Sequence, residues 1–109
     1  MTDYVEFVET EIFTRRIVEM LSEREYRALQ AFLIRRPDAG DLIPAGRGLR
    51  KLRWGSGQKG KSGGVRIIYY LYLAGRRIYM IYLYRKSDQE DLTPEQLSGL
   101  ALYVKGGVL

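Results

Sequence analysis

The sequence contains no cysteine and no histidine among its 109 residues. Without cysteine it forms no disulfide and has no thiol nucleophile. Without histidine it lacks the side chain that most often acts as a general base near pH 7 and most often binds transition metals. A zinc site is close to excluded. We expect a protein that uses neither metal nor cofactor, in which Lys, Arg, Tyr, Asp or Glu carries any acid–base chemistry.

Long apolar runs are also missing, and a membrane-spanning helix needs one of about 18 residues or more. The first residues are acidic, with Asp3, Glu6, Glu9 and Glu11, whereas a secretory signal peptide begins with basic residues. The length and an apolar fraction of 46% suit one core. We expect a single domain over residues 1–109, located in the cytoplasm and without membrane contact.

Acidic residues are absent from residues 42–87. Residues 1–41 carry nine acids against six bases, and residues 88–109 carry four acids against one base. The central segment holds eleven bases: Arg47, Arg50, Lys51, Arg53, Lys59, Lys61, Arg66, Arg76, Arg77, Arg85 and Lys86. A segregated positive field attracts a polyanion. We therefore expect a nucleic acid or an acidic protein as partner.

One segment of this basic region matches two nucleotide-binding patterns. Gly55–Ser62 reads G-x-x-x-x-G-K-S, and its three glycines also read G-x-G-x-x-G. In both motifs a helix must follow, so that its N-terminus faces the phosphates. Val65–Tyr70 follows here and is β-branched and aromatic, which is typical of a strand. We expect a loop between two strands, with Lys59 and Lys61 contacting RNA backbone, and no binding of ATP or GTP.

Apolar periodicity predicts the element order β-α-α-β-β-β-α. A short strand at Tyr4–Val8 precedes two helices. Thr10 is the candidate N-cap of the first helix, and Ser22 with Glu25 forms a capping box for the second, which Pro37 ends. Both helices carry one apolar stripe that must be covered by a sheet.

Three strands are predicted next, over Gly48–Trp54, Val65–Leu73 and Arg77–Lys86, joined as an antiparallel meander. Thr93 as N-cap and Pro94 at the first helical position predict the last helix. An acidic first turn of that helix accounts for Asp88, Glu90 and Asp91. The expected fold class is α+β: a mostly antiparallel curved sheet of about four strands, with the two N-terminal helices and the C-terminal helix packed on one face.

Alternation along these strands predicts a basic pocket on the other face. In the second strand of the meander the apolar set Val65, Ile67, Tyr69 and Leu71 is the better core face, so Arg66 points to the open side. Lys51 and Arg53 share a face of the preceding strand. In the last strand Met80, Tyr82, Tyr84 and Lys86 share a face. We expect a pocket lined by Arg66, Lys86, Lys51 and Arg53, although a one-residue bulge would invert this facing.

Five segments occur in a characteristic order and spacing within residues 45–104. They are GLRKLR at 48–53, the Gly/Lys-rich loop, GGVRIIYY at 63–70, IYLYRK at 81–86 and DLTPEQL at 91–97. Together they resemble the HigB branch of the RelE/ParE toxin superfamily. The resemblance implies a RelE-like fold and the toxin of a type II toxin–antitoxin system. Such a toxin is an mRNA interferase, a ribosome-dependent endoribonuclease that blocks translation, and a HigA-like antitoxin with a helix-turn-helix neutralises it.

The resemblance also implies roles for individual residues. Arg66 matches the arginine that such toxins place at the scissile phosphate, Lys51 and Arg53 match a basic pair on the preceding strand, and Lys86 matches a basic residue at the end of the last strand. RelE-type members have a tyrosine shortly after that strand, and this sequence has none between Arg85 and Leu102. Either Tyr84 or another group substitutes, or the position is dispensable in this branch. As RNA-binding residues we predict Lys59, Lys61, Arg50, Tyr84 and Arg85.

The proposed chemistry suits a protein without histidine. When the 2′-OH attacks the adjacent phosphorus, negative charge develops on the phosphoryl oxygens, and fixed cations can stabilise it. Our hypothesis is that Arg66 binds these oxygens with its planar fork while Lys86 or Lys51 moves protons. Two alternatives stay open: a ParE-like toxin that inhibits gyrase without cleaving RNA, and an RNA-binding module without catalysis.

Overall fold

The computed structural model describes residues 5–55 and 64–105 as an α+β fold, which confirms the predicted class. The elements in chain order are β1 (Glu6–Glu9), α1 (Glu11–Met20), α2 (Glu23–Arg35), β2 (Asp41–Leu42), β3 (Leu49–Trp54), β4 (Val65–Tyr72), β5 (Arg77–Arg85) and α3 (Pro94–Lys105). Within these ranges no helix is long and apolar enough to cross a membrane.

The helices begin where side chains can satisfy their first backbone N–H groups. Thr10 Oγ1 accepts a hydrogen bond from Phe13 N at 3.1 Å. Ser22 and Glu25 form the predicted capping box, because each side chain accepts from the backbone N–H of the other residue. Thr93 and Gln96 repeat this reciprocal arrangement before α3. Such caps stabilise a helix by about 1 kcal/mol each.

The sheet has five strands in the order β1-β5-β4-β3-β2, so the expectation of about four was wrong by one. β1 lies parallel to β5, and the other pairs are antiparallel. The additional strand is β2, only two residues long, in which Asp41 and Leu42 pair with Lys51 and Arg50 of β3. A strand this short carries no alternation, and its neighbourhood of Pro, Asp and Gly is typical of a turn.

One face of the sheet packs against α1 and α2, as predicted. Its buried cluster combines the stripes of these helices with alternate residues of the central strands. The members include Phe13, Ile17, Leu29, Leu33, Leu52, Val65, Ile67, Tyr69, Ile78, Met80 and Leu83. The face assignment for β4 is therefore confirmed, because Val65, Ile67 and Tyr69 lie in this core.

The opposite face is covered by α3, so the prediction of all three helices on one face was wrong. A second buried cluster joins α3 to the other residues of the central strands: Leu49, Ile68, Tyr79, Ile81, Tyr82, Tyr84, Leu100 and Ala101. The physical reason is that β5 is apolar on both faces, as Ile78 to Tyr84 are all buried. A strand of this composition needs cover on both sides.

A β-bulge in β5 changes which residues share a face. Ile68 pairs with Tyr82, whereas the next residue, Tyr69, pairs with Met80, so Ile81 is an additional residue in the strand. Met80 consequently lies in the core beneath α1 and α2, while Tyr82 and Tyr84 lie under α3. The prediction that Met80 shares a face with these tyrosines was wrong for this reason.

The first half of β5 pairs with β1, and the second half is accompanied by α1. There the backbone acceptors of β5 are satisfied by side chains of the α1 segment. Thr10 Oγ1 donates to the carbonyl of Ile81 at 2.7 Å, and Arg16 Nε donates to the carbonyl of Leu83 at 2.8 Å. The guanidinium of Arg16 also stacks over the ring of Tyr82, 4.7 Å from its centroid. A helix thus protects this stretch of edge.

Candidate functional site

Three neighbouring strands bring basic residues into register at one end of the sheet. Arg53 of β3 lies directly opposite Arg66 of β4, and Arg66 lies opposite Tyr84 of β5. Two residues before Arg53 in β3, Lys51 lies opposite Ile68 of β4. Because alternate residues of a strand share a face, Lys51, Arg53 and Arg66 all point to the same side, as the alternation predicts.

These residues line an open cavity of ≈ 500 Å³, which we call the basic cavity. Its lining consists of Lys51, Arg53, Arg66 and Lys86, together with Ala39, Asp41, Leu52 and Glu90. All four residues predicted to form a basic pocket are therefore brought together. None of the described side chains of α3 lines the cavity, which lies beside the part of this face that α3 covers.

The cations of the basic cavity differ in their partners. Lys51 Nζ lies 3.0 Å from Asp91 Oδ1, and Lys86 Nζ lies 3.6 Å from Glu90 Oε2. Among the described residues, by contrast, Arg53 and Arg66 have neither a hydrogen-bond partner nor an ion-pair partner. Both guanidinium groups are thus available to bind an anion, and each offers the planar fork that matches two phosphate oxygens.

Tyr84 lies opposite Arg66 in the sheet but is fully buried (0% exposed) and does not line the cavity. Its hydroxyl lies 3.4 Å from Asp91 Oδ1. Burial first, and then the charge and hydrogen bond of Asp91, raise the pKa of Tyr84 to about 12, against a smaller lowering by the charge of Arg66. The phenol is therefore protonated at neutral pH. Its ring packs in the core beneath α3, so it offers no face on which an RNA base could stack.

The prediction that Asp88, Glu90 and Asp91 form an acidic first turn of the last helix is wrong, because the acidic residue of that turn is Glu95. α3 begins at Pro94, so Asp91 precedes the N-cap Thr93. Its carboxylate instead binds Lys51, and this hydrogen bond is the main reason why the pKa of Asp91 lies below its usual value. The sequence shows an acidic residue a few positions after the last strand. Its partner Lys51 is revealed only by the side-chain contact between β3 and the segment that joins β5 to α3.

The other predicted RNA-binding residues lie elsewhere. Arg50 points to the other face of β3, where its Nη1 donates to the carbonyl of Gly40 at 2.7 Å. Arg85 donates to the carbonyl of Glu19 at the end of α1, 2.8 Å away, and pairs with Asp88 at 3.5 Å. Neither lines the basic cavity. Lys59 and Lys61, with most of the glycine-rich loop, lie outside the described residues, although the element that follows the loop is the strand β4, as predicted.

No protein-family model matches this chain. Within residues 5–55 and 64–105, no group of three carboxylates lies close enough together to hold a metal ion. The class of site is therefore defined by its residues. Two guanidinium groups, which have no partner among the described residues, and two ammonium groups converge on an open cavity large enough for a phosphodiester. This arrangement is suited to binding an anion.

Proposed function

We propose that this chain is a RelE-like toxin of the HigB type, which cleaves mRNA on the ribosome. The observation that carries the proposal is the convergence of Lys51, Arg53, Arg66 and Lys86 on one open cavity. These are the positions at which the sequence resembles the basic residues of such toxins. A RelE-like topology, a cytoplasmic location and neutralisation by a helix-turn-helix antitoxin belong to the same proposal.

The geometry supports a mechanism in which cations stabilise the transition state. Arg66 and Arg53 lie opposite each other on the neighbouring strands β4 and β3. Their guanidinium groups would hold the non-bridging oxygens of the scissile phosphate. Attack by the 2′-OH forms the new phosphorus–oxygen bond, breaks the bond to the 5′ oxygen and concentrates charge on those oxygens. A preorganised donor of this kind accelerates such reactions by about 10²–10³. Lys86 or Lys51 would transfer the protons, one from the 2′-OH and one to the 5′ oxygen.

The test is primer extension on a defined mRNA in the presence of ribosomes. We expect wild-type protein to produce cuts inside the reading frame, and Arg66→Ala to reduce the cleavage rate by about 10²–10³. Arg66→Lys should restore only part of the rate, because an ammonium keeps the charge without the bidentate fork. Arg27→Ala is the matched control, since it removes the same charge from an exposed position on α2 outside the cavity.

Other outcomes would assign the alternatives. RNA binding that depends on Arg66, without any cleavage by the wild type, would identify an RNA-binding module. Growth arrest with intact mRNA and a DNA-damage response would identify a gyrase inhibitor. Undiminished cleavage by Arg66→Ala, with the variant shown to be folded, would contradict the role given to this residue.

A further inference from the structure

The carboxylate of Asp91 is held by donors from three sources. It accepts hydrogen bonds from Lys51 Nζ at 3.0 Å and from the backbone N–H of Leu92 at 2.8 Å. The hydroxyl of Tyr84 contacts the same oxygen at 3.4 Å. The backbone bond fixes the carboxylate relative to its own chain, and Tyr84 connects it to the core. Asp91 is thus a fixed anion at the rim of a cationic cavity, although its side chain is 63% exposed.

The second carboxylate of the segment is held much more loosely. Among the described residues Glu90 pairs with Lys86 at 3.6 Å, and its side chain is 88% exposed. An exposed pair of this kind contributes little to stability and constrains its partner weakly. The two lysines of the basic cavity therefore differ in how firmly their carboxylate partners are held. Asp91, the partner of Lys51, accepts a bond from the backbone N–H of Leu92 and contacts the hydroxyl of the buried Tyr84. Glu90, the partner of Lys86, has neither contact among the described residues.

We propose that Asp91 is a positioning residue that holds the Lys51 ammonium in place for the phosphodiester bound in the basic cavity. The proposal rests on the proposed function, since it assigns a role in RNA cleavage. The ammonium has three donors, and the carboxylate occupies one of them. The other two donors stay available to an anion, since Lys51 lines the same cavity as Arg53 and Arg66.

A positioning role predicts opposite effects on binding and on cleavage. Asp91 carries a negative charge that repels RNA, so its removal should tighten RNA binding by about 1.5- to fivefold, the range of an exposed charge interaction. Removal also releases Lys51 from its position, and a displacement of about 1 Å can reduce the rate about 10²-fold. Loss of structure would instead weaken both binding and cleavage.

The experiment compares Asp91→Asn with Asp88→Asn, which makes the same change three positions earlier, outside the cavity. Single-turnover cleavage is measured on ribosomes, and binding is measured with an RNA oligonucleotide in which 2′-O-methyl groups prevent cleavage. For Asp91→Asn we expect cleavage reduced about 10²-fold and RNA binding tightened by about 1.5- to fivefold. For Asp88→Asn we expect cleavage within about twofold of wild type, because its partner Arg85 contacts Glu19 of α1 on the other side of the sheet.

A double variant tests whether Asp91 acts through Lys51. If it does, adding Asp91→Asn to Lys51→Met produces no further loss, since residues that act as a unit are not additive. A loss that persists in full in the Lys51→Met background would overturn the proposal, and so would equal losses in Asp91→Asn and Asp88→Asn. Weaker binding together with weaker cleavage in Asp91→Asn would overturn it as well.

A spectroscopic measurement separates this proposal from the proposed function. The NMR signal of the Lys51 ammonium, assigned by its absence in Lys51→Met, should be protected from exchange in the wild type and lose that protection in Asp91→Asn. If the wild type cleaves no mRNA, the proposed function fails, and this signal alone decides whether Asp91 positions Lys51. An unchanged Lys51 signal in Asp91→Asn would refute the positioning role even if cleavage is confirmed.

Discussion

The hydroxyl of Tyr69 connects β4 to the segment that leads into β2, and its removal gives a measurable loss of stability. The side chain is fully buried. Its hydroxyl donates to the carbonyl of Pro37 at 2.7 Å and accepts from the N–H of Gly40 at 2.9 Å. Gly40 is pressed against the ring, because a Cβ at that position would lie 2.8 Å from Tyr69 Cε1. Tyr69→Phe keeps the ring and removes only the two hydrogen bonds.

The magnitude follows from those two bonds. Each contributes about 0.5–1.5 kcal/mol to the free energy of unfolding, so their joint loss costs about 1–3 kcal/mol. An unfolding entropy of about 2.1 cal/mol/K per residue over 109 residues converts this loss to a decrease in Tm of about 4–13 °C. The effect should extend to the basic cavity, because Asp41 in its wall follows Gly40 directly.

The assay is urea unfolding followed by circular dichroism, together with a thermal melt. Tyr72→Phe is the control, because Tyr72 is 42% exposed and lies at the end of the same strand. Its free energy of unfolding should stay within about 0.5 kcal/mol of wild type. If Tyr69→Phe also stays within that range, the two hydrogen bonds do not hold the segment before β2, and the reasoning is refuted.

Three further predictions follow from the contacts described above. Arg16→Ala should lower the free energy of unfolding by about 1–2 kcal/mol in urea melts, because it removes the bond to the Leu83 carbonyl and a stacked guanidinium; a change under about 0.5 kcal/mol would contradict the role of α1 as edge cover. The pKa of Tyr84 is raised to about 12, so the stabilisation of the folded state by its protonated phenol is complete below pH 10 and is lost as the pH rises through about 12. In Asp91→Asn, ¹³C NMR should show Tyr84 ionising at a lower pH. An unchanged titration would exclude the contact between Tyr84 and Asp91. Arg66→Ala should reduce the slope of log affinity for RNA against log salt concentration by about 1, and an unchanged slope would show that Arg66 does not contact phosphate.

Local signals in the sequence were sufficient for most elements. The caps at Thr10, Ser22 and Thr93 depend on residues within three positions, and the structure confirms all three. Strand boundaries differed slightly. β1 was expected at Tyr4–Val8, of which Tyr4 lies outside the described residues, and the strand spans Glu6–Glu9; β5 was expected to end at Lys86 and ends at Arg85. The convergence of the four basic residues was also predictable, because alternation fixes the face of each side chain.

The errors arose where tertiary contacts decide. The sequence of β5 does not predict which face of the sheet α3 covers. The strand is apolar on both faces, so both need cover and neither is indicated for this helix. The bulge at Ile81 has no signature in composition, yet it moves Met80 to the opposite face. The role of Asp91 depends on Lys51, which is 40 positions earlier in the chain. Each of these needs a contact that is remote in sequence.

The pairing of β1 with β5 has a consequence for the order in which the protein can fold during its own synthesis. Glu6 and Arg77 lie side by side, yet they are 71 positions apart in the chain. The apolar residues of α1 therefore have no sheet to cover until β5 has left the ribosome, and such distant contacts form late. The basic cavity needs Lys86 from the end of the same strand. The four basic residues of the cavity thus cannot come together until the chain has been synthesised through Lys86.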